Sequence, residues 1–154
     1  MIRIVSGGQS GADRAALDFA ITRGLDYGGW CPKGGWAEDL SNPPGLFAQY
    51  PQLSETDASD PRIRTEWNVR DSDATLVFAP PGVESPGTAF TIECARHYAK
   101  PLLIVDPGSP SATADIRAWL TQLNLRGLNI AGPRASEASD IYAAVRAILD
   151  ALFA

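Results

Sequence analysis

The sequence is poor in the residues that announce metal or triad chemistry. It holds one histidine, His97, and two cysteines, Cys31 and Cys94, far apart in the chain. Neither a zinc knuckle nor a disulfide scaffold is suggested, and no metal site is expected. There is no G-x-S-x-G elbow, so a hydrolase triad would have to be built on His97 alone. No apolar run approaches the ~20 residues that a membrane helix needs, and Met1 leads straight into a strand-like run without the basic stretch and cleavage pattern of an export signal. The expectation is a cytoplasmic protein, neither exported nor embedded. Positive charge is not in excess either. Thirteen Lys and Arg stand against 18 Asp and Glu, a net charge of -5, which argues against a general grip on nucleic acid and leaves a free nucleotide or small cofactor as the partner. Internal repeats, heptads and low-complexity tails are also lacking.

What is present is enough for one packed core: 154 residues, 45% of them apolar, the size of a single domain. Ile2 to Val5 reads as a strand that runs into Ser6-Gly7-Gly8-Gln9-Ser10-Gly11. Ala12, Ala15, Ala16, Phe19 and Ala20 then recur at helical spacing up to Gly24. Tyr27 to Trp30 suits a second strand, and Cys31 to Asp60 is a long loop rich in proline and glycine, of the kind that is functional or mobile. Helices are expected over Arg62 to Arg70, Thr88 to Ala99, Thr113 to Asn124 and Ser139 to Leu152. Strands are expected at Ala74 to Ala79, Leu102 to Val105 and Leu128 to Ile130. This alternation predicts an α/β, Rossmann-like, doubly wound domain over residues 1–154, with about five mostly parallel strands and helices on both faces. In such a fold ligands sit at the carboxyl ends of the strands.

Two glycine loops fall on that edge. Between a strand and a helix, Ser6, Gly7, Gly8, Gln9, Ser10 and Gly11 place unpaired N–H groups and the positive end of a helix dipole at one spot, a setting for phosphate. The plain alternative is a tight turn with Ser10 as N-cap. The loop fits neither G-x-G-x-x-G nor the Walker pattern, since no Lys-Ser or Lys-Thr follows. Pro86, Gly87 and Thr88 repeat the arrangement, with Gly87 or Thr88 as candidate N-cap. After the second strand come Lys33 and Gly34, then Glu38 and Asp39. The lysine suits a phosphate, and the carboxylates suit ribose hydroxyls or ring amino groups; the alternative is solvated loop charge. In the next helix Thr65 and Asn68 are candidates for ligand contact, while Glu66 with Arg62 or Arg70 suits surface pairing. Glu93 and His97 lie four residues apart on one helix face and suit a surface pair better than an acid/base pair.

These motifs resemble a known family. Ser6 to Asp18, Gly29-Trp30-Cys31-Pro32-Lys33-Gly34 with Ala37-Glu38-Asp39, Arg64-Thr65 with Asn68-Val69, Ser72 to Leu76, and Pro86-Gly87-Thr88 are similar to the putative molybdenum carrier family over nearly the whole chain. That family is a circularly permuted YpsA branch of the Rossmann-like superfamily that also holds the Smf/DprA-like and LOG proteins (SLOG). The resemblance implies a homodimer or homotetramer that binds molybdenum cofactor, a molybdopterin, without ligating the metal itself. The wider superfamily implies only a nucleotide-like ligand. The LOG enzymes, which cleave the base from a nucleoside monophosphate, carry P-G-G-x-G-T-x-x-E. Here Thr91 stands where that signature has its glutamate, and a hydroxyl cannot replace a carboxylate in stabilising an oxocarbenium-like transition state.

Three readings follow. The first is a non-catalytic carrier or store for molybdenum cofactor or another phosphorylated nucleotide-like ligand. The second is a hydrolase of a nucleoside monophosphate or nucleotide conjugate, with Glu38, Asp39 or Glu93 as its acid or nucleophile. The third, a role in protein contacts alone, leaves both glycine loops unexplained.

Overall fold

Continuous apolar stretches become the middle of a parallel sheet. The computed structural model describes residues 2–154, so that Met1 lies outside the described residues. Strand β1 (Arg3–Val5) is followed by helix α1 (Ala12–Arg23) and the short strand β2 (Tyr27–Gly28). Strands β3 (Trp30–Cys31) and β4 (Ser54–Glu55) come next, then helix α2 (Pro61–Arg70) and strand β5 (Ala74–Phe78). Helix α3 (Pro86–His97), strand β6 (Leu102–Val105), helix α4 (Ala112–Thr121), strand β7 (Gly127–Ala131) and helix α5 (Ile141–Leu152) complete the chain. All five residues of β5 are buried, as expected for a strand covered on both faces.

The main sheet has the order β2-β1-β7-β5-β6 and is parallel throughout. Right-handed crossovers then fix the layers. The β1-to-β2 and β6-to-β7 connections run one way across the sheet and β5-to-β6 runs the other, so α1 and α4 share a face and α3 lies opposite. Helix α5 packs on α1 and α4, and α2 packs on α3. The expected doubly wound α/β architecture is therefore present, with its strands' carboxyl ends on one edge.

The expected second strand, Tyr27 to Trp30, is broken. Its first half pairs with β1, whereas Trp30 and Cys31 leave the sheet to pair with β4. Gly29 makes the break at φ +131, and a Cβ there would come within 2.3 Å of the Ser6 carbonyl oxygen, so only glycine fits between the two strands. The long loop also carries structure: β4 and two 3₁₀ turns, Lys33–Gly35 and Gly45–Ala48. The caps differ in detail from expectation. Ser85, rather than Gly87 or Thr88, caps α3 by accepting from Thr88 N. Asp60 caps α2, which begins with Pro61. Ser10 does not cap α1, because Gly11 occupies that position.

Candidate functional site

A cleft of about 460 Å³ lies between the first turns of helices α2 and α3. Pro61, Arg62, Arg64 and Thr65 form one wall; Pro86, Gly87, Phe90 and Glu93 form the other. Arg134, from the segment after β7, completes the lining. Two hollows of about 40 and 20 Å³ share Arg64 and Thr65 with the cleft and form a polar floor. This is the crevice expected outside the strand ends of an open α/β sheet.

One side chain on that floor is incomplete. Gln9 is 5% exposed, and its Oε1 accepts from Ser10 N at 3.0 Å and Glu38 N at 2.9 Å. Those two bonds fix the orientation of the amide and leave Nε2 buried with no partner. An unpaired buried donor costs about 1–3 kcal/mol. Gln9 lines the same hollow as Gly87, Thr88, Arg64 and Arg134. The start of α3 is open as well: Pro86 has no N–H to satisfy, and a Cβ added at Gly87 would meet nothing within 4 Å. An orphan amide, a helix N-terminus and guanidinium groups thus converge on one small space, which is the chemistry of an anion site.

Two buried charged side chains share this floor. Arg64, 7% exposed, donates from Nη1 to the Gly7 carbonyl at 2.8 Å, which holds the β1–α1 turn against α2. Asp13, in the first turn of α1, is 8% exposed and lines both hollows. Burial pushes its carboxyl up to about 6, against the pull of Arg64 and of a hydrogen bond from the Gln9 main chain. Burial likewise lowers Arg64, which Asp13 opposes.

The cleft gathers some of the sequence-predicted residues and not others. Gly7, Gln9, Thr65, Pro86, Gly87 and Thr88 line the cleft or its floor. The rest of the first glycine loop is turned into protein. Ser6 donates to the Asp13 carbonyl and accepts from Gly8 N. A Cβ at Gly8 would meet Leu46 at 2.7 Å, and Gly11 abuts the main chain of Pro133 and Arg134. Ser10 donates to Glu38 at 2.5 Å and accepts from Ala135 N at 3.1 Å.

Glu38 and Asp39 face other parts of the chain. Glu38 also accepts from Ser136 Oγ at 2.6 Å and Ser136 N at 3.2 Å, and Asp39 takes both terminal nitrogens of Arg14 at 2.9 and 2.8 Å. Burial pulls Glu38 up, yet the Ser10 and Ser136 bonds hold it below the usual carboxylate range. Lys33 and Gly34 lie in the 3₁₀ turn after β3, where Gly34 N donates to Glu55 at 2.7 Å, away from the cleft walls. Asn68 reaches the 20 Å³ hollow but spends its amide on Trp30. Thr91 donates to the Gly87 carbonyl at 3.0 Å, so the place of the LOG glutamate is filled by a hydroxyl bonded within its own helix.

Arg64, Asp13 and Arg134 were the residues not singled out. Within the α2 sequence nothing local separates Arg64 from Arg62. Asp13 and Arg134 carried a usable signal: each lies within three residues of a glycine or proline turn at the carboxyl end of a strand. Among the described residues no three His, Cys, Asp or Glu side chains gather into a metal-binding group, and no helix is long and apolar enough to cross a membrane.

Comparison with known proteins gives the family and the fold. The circularly permutated YpsA SLOG family matches residues 4–153. The crystal structure of the putative molybdenum carrier protein from Syntrophus aciditrophicus SB is similar at a TM-score of 0.90 and 43% sequence identity, over 100% of this chain and 96% of that one. No curated protein matches.

Proposed function

Because the chain belongs to the circularly permutated YpsA SLOG family, we propose that it binds a phosphorylated, nucleotide-like ligand without turnover in the α2–α3 cleft, and that this ligand is molybdenum cofactor. The observation that carries the reading is the Gln9 amide, buried and unpaired beside the open start of α3. A phosphate there would accept from Gln9 Nε2 and the Gly87 N–H, with Arg64 and Arg134 balancing its charge. The name of the 43% identical neighbour supports molybdenum as part of the cargo. The bound cofactor would supply the metal and its sulfur ligands, while this chain's residues would hold its phosphate end and shield its ring.

The test is thermal shift and native mass spectrometry with molybdenum cofactor, molybdate, AMP and ADP, on the unaltered protein and on Gln9→Glu. The variant keeps the acceptor for Ser10 N and Glu38 N and replaces the orphan donor with an oxygen. A phosphorylated ligand should raise the melting temperature, as a native-state ligand must, and the variant should lose that shift. Retention of the shift in Gln9→Glu sinks the proposed phosphate position. No turnover of AMP should be seen, and release of adenine would overturn the carrier reading.

A further inference from the structure

Beyond the anion end, the cleft continues along α3 into a differently built space. Pro86, Phe90 and Glu93 recur at i, i+4 and i+7 and so share one helix face; all three line the cleft. The Arg62 guanidinium lies over the Phe90 ring, 4.3 Å from its centroid. This makes a flat cationic surface backed by an aromatic ring, and flat rings stack on guanidinium planes. Glu93 takes part in none of the ion pairs among the described residues. Exposed and lining the cleft, it offers a pair of acceptors that no cation of the protein takes up. From Gly87 to Glu93 the helix rises about 9 Å, close to the reach from the phosphate to the far edge of the base in a mononucleotide.

We propose that this outer half selects the ring of the ligand, and that Arg62 and Glu93 together favour an amino-oxo pyrimidine edge, the edge that guanine and pterins share. The inference rests on the anion site proposed above. A carboxylate accepts two parallel N–H bonds from a ring N–H and its neighbouring amino group. Adenine offers one amino group flanked by ring nitrogens whose lone pairs face the carboxylate and are repelled. Hypoxanthine keeps the ring N–H and lacks the amino group. Arg64 and Arg134 beside Gln9, and Glu93 further along α3, give the cleft opposite signs, so a ligand negative at one end and donor-rich at the other fits its polarity.

The experiment is calorimetric titration of GMP, IMP, AMP and inorganic pyrophosphate against the unaltered protein, and of the three nucleotides against Glu93→Gln and Phe90→Leu. GMP should bind about tenfold more tightly than IMP or AMP, the scale of one bidentate pair. Glu93→Gln, which turns one acceptor into a donor, should bring GMP to within about threefold of AMP. Phe90→Leu should weaken all three nucleotides together by loosening the Arg62 surface. Equal affinities in the unaltered protein, or a GMP preference that survives in Glu93→Gln, overturn the ring selection. Pyrophosphate separates the two levels: if it binds while GMP and AMP are equal, only the ring selection falls, and if neither it nor any nucleotide binds, the anion site falls with it.

Discussion

Asn68 holds both main-chain polar groups of Trp30: its Oδ1 accepts from Trp30 N at 2.7 Å and its Nδ2 donates to Trp30 O at 3.0 Å. On the other side of that strand, Gly29 O and Cys31 O accept from Ser54 N and Thr56 N. The Asn68 amide thus stands in for a neighbouring strand and covers an edge that would otherwise be open. Asn68→Ala leaves two part-buried main-chain groups unpaired and should lower stability by about 2–6 kcal/mol, at 1–3 for each group. Urea unfolding measures it. A loss below about 1 kcal/mol would mean that water replaces the amide.

Asp13 gives a pH dependence of definite sign. Its carboxyl titrates at about 6 in the fold and near 3.9 when unfolded. Between those values the folded protein keeps a proton that the unfolded chain has lost, so the contribution of Asp13 to stability falls as pH rises through the window and levels off above 6. Asn at this position keeps an acceptor for the Gln9 main chain and carries no charge. Asp13→Asn should therefore gain on the unaltered protein by about 3 kcal/mol at most on going from pH 4 to pH 7. Denaturation of both proteins across that range checks it, and a difference independent of pH would refute it.

Gly8→Ala tests what the first glycine loop is for. Gly8 has φ +74, and a Cβ would press on Leu46 at 2.7 Å. Left-handed strain of about 1–2 kcal/mol and overpacking of about 1–3 kcal/mol should lower the melting temperature markedly. Because this methyl would point at Leu46 rather than into the cleft, ligand affinity per folded molecule should change less than about twofold. A large loss of affinity in a well-folded variant would return the loop to the role of a phosphate cradle.

Glu38 joins two segments distant from it in the chain: Ser10, and the stretch after β7 through Ser136 and, at 3.8 Å, Arg134. Glu38→Ala should speed hydrogen exchange at Ala135 and Ser136 and cost about 2 kcal/mol. If the site needs Arg134 held in place, ligand affinity should fall as well, with no ligand atom touching Glu38. Exchange rates unchanged at those amides would contradict the clasp.

The parts legible in the sequence are those whose signal is local. Apolar runs such as Ala74 to Phe78 and the small-residue face of α1 specify strand and helix through short-range pattern. The open start of α3 follows from a proline and a glycine after a buried strand. The rest depended on packing between distant segments. Gly29 looks like any strand-end glycine until Ser6 lies against it. The two carboxylates after Trp30 read as ligand acceptors because their partners, Arg14, Ser10 and Ser136, lie on other elements. Arg64 and Arg62 differ only in which side of α2 meets the turn after β1, and that is set by how α2 docks on α3.

The place of β7 bears on how the protein is made. The last strand of the chain lies between β1 and β5, so as the polypeptide leaves the ribosome the early segments can form only two separate fragments: β1 with β2, and β5 with β6. Each fragment has an unfilled edge where β7 will later insert, and such edges invite pairing with other chains. The α2–α3 cleft, which Arg134 just beyond β7 helps to line, cannot be completed before that insertion. A nascent chain halted before residue 127 would be an unjoined pair of half-sheets, exposed to aggregation and with its cleft incomplete.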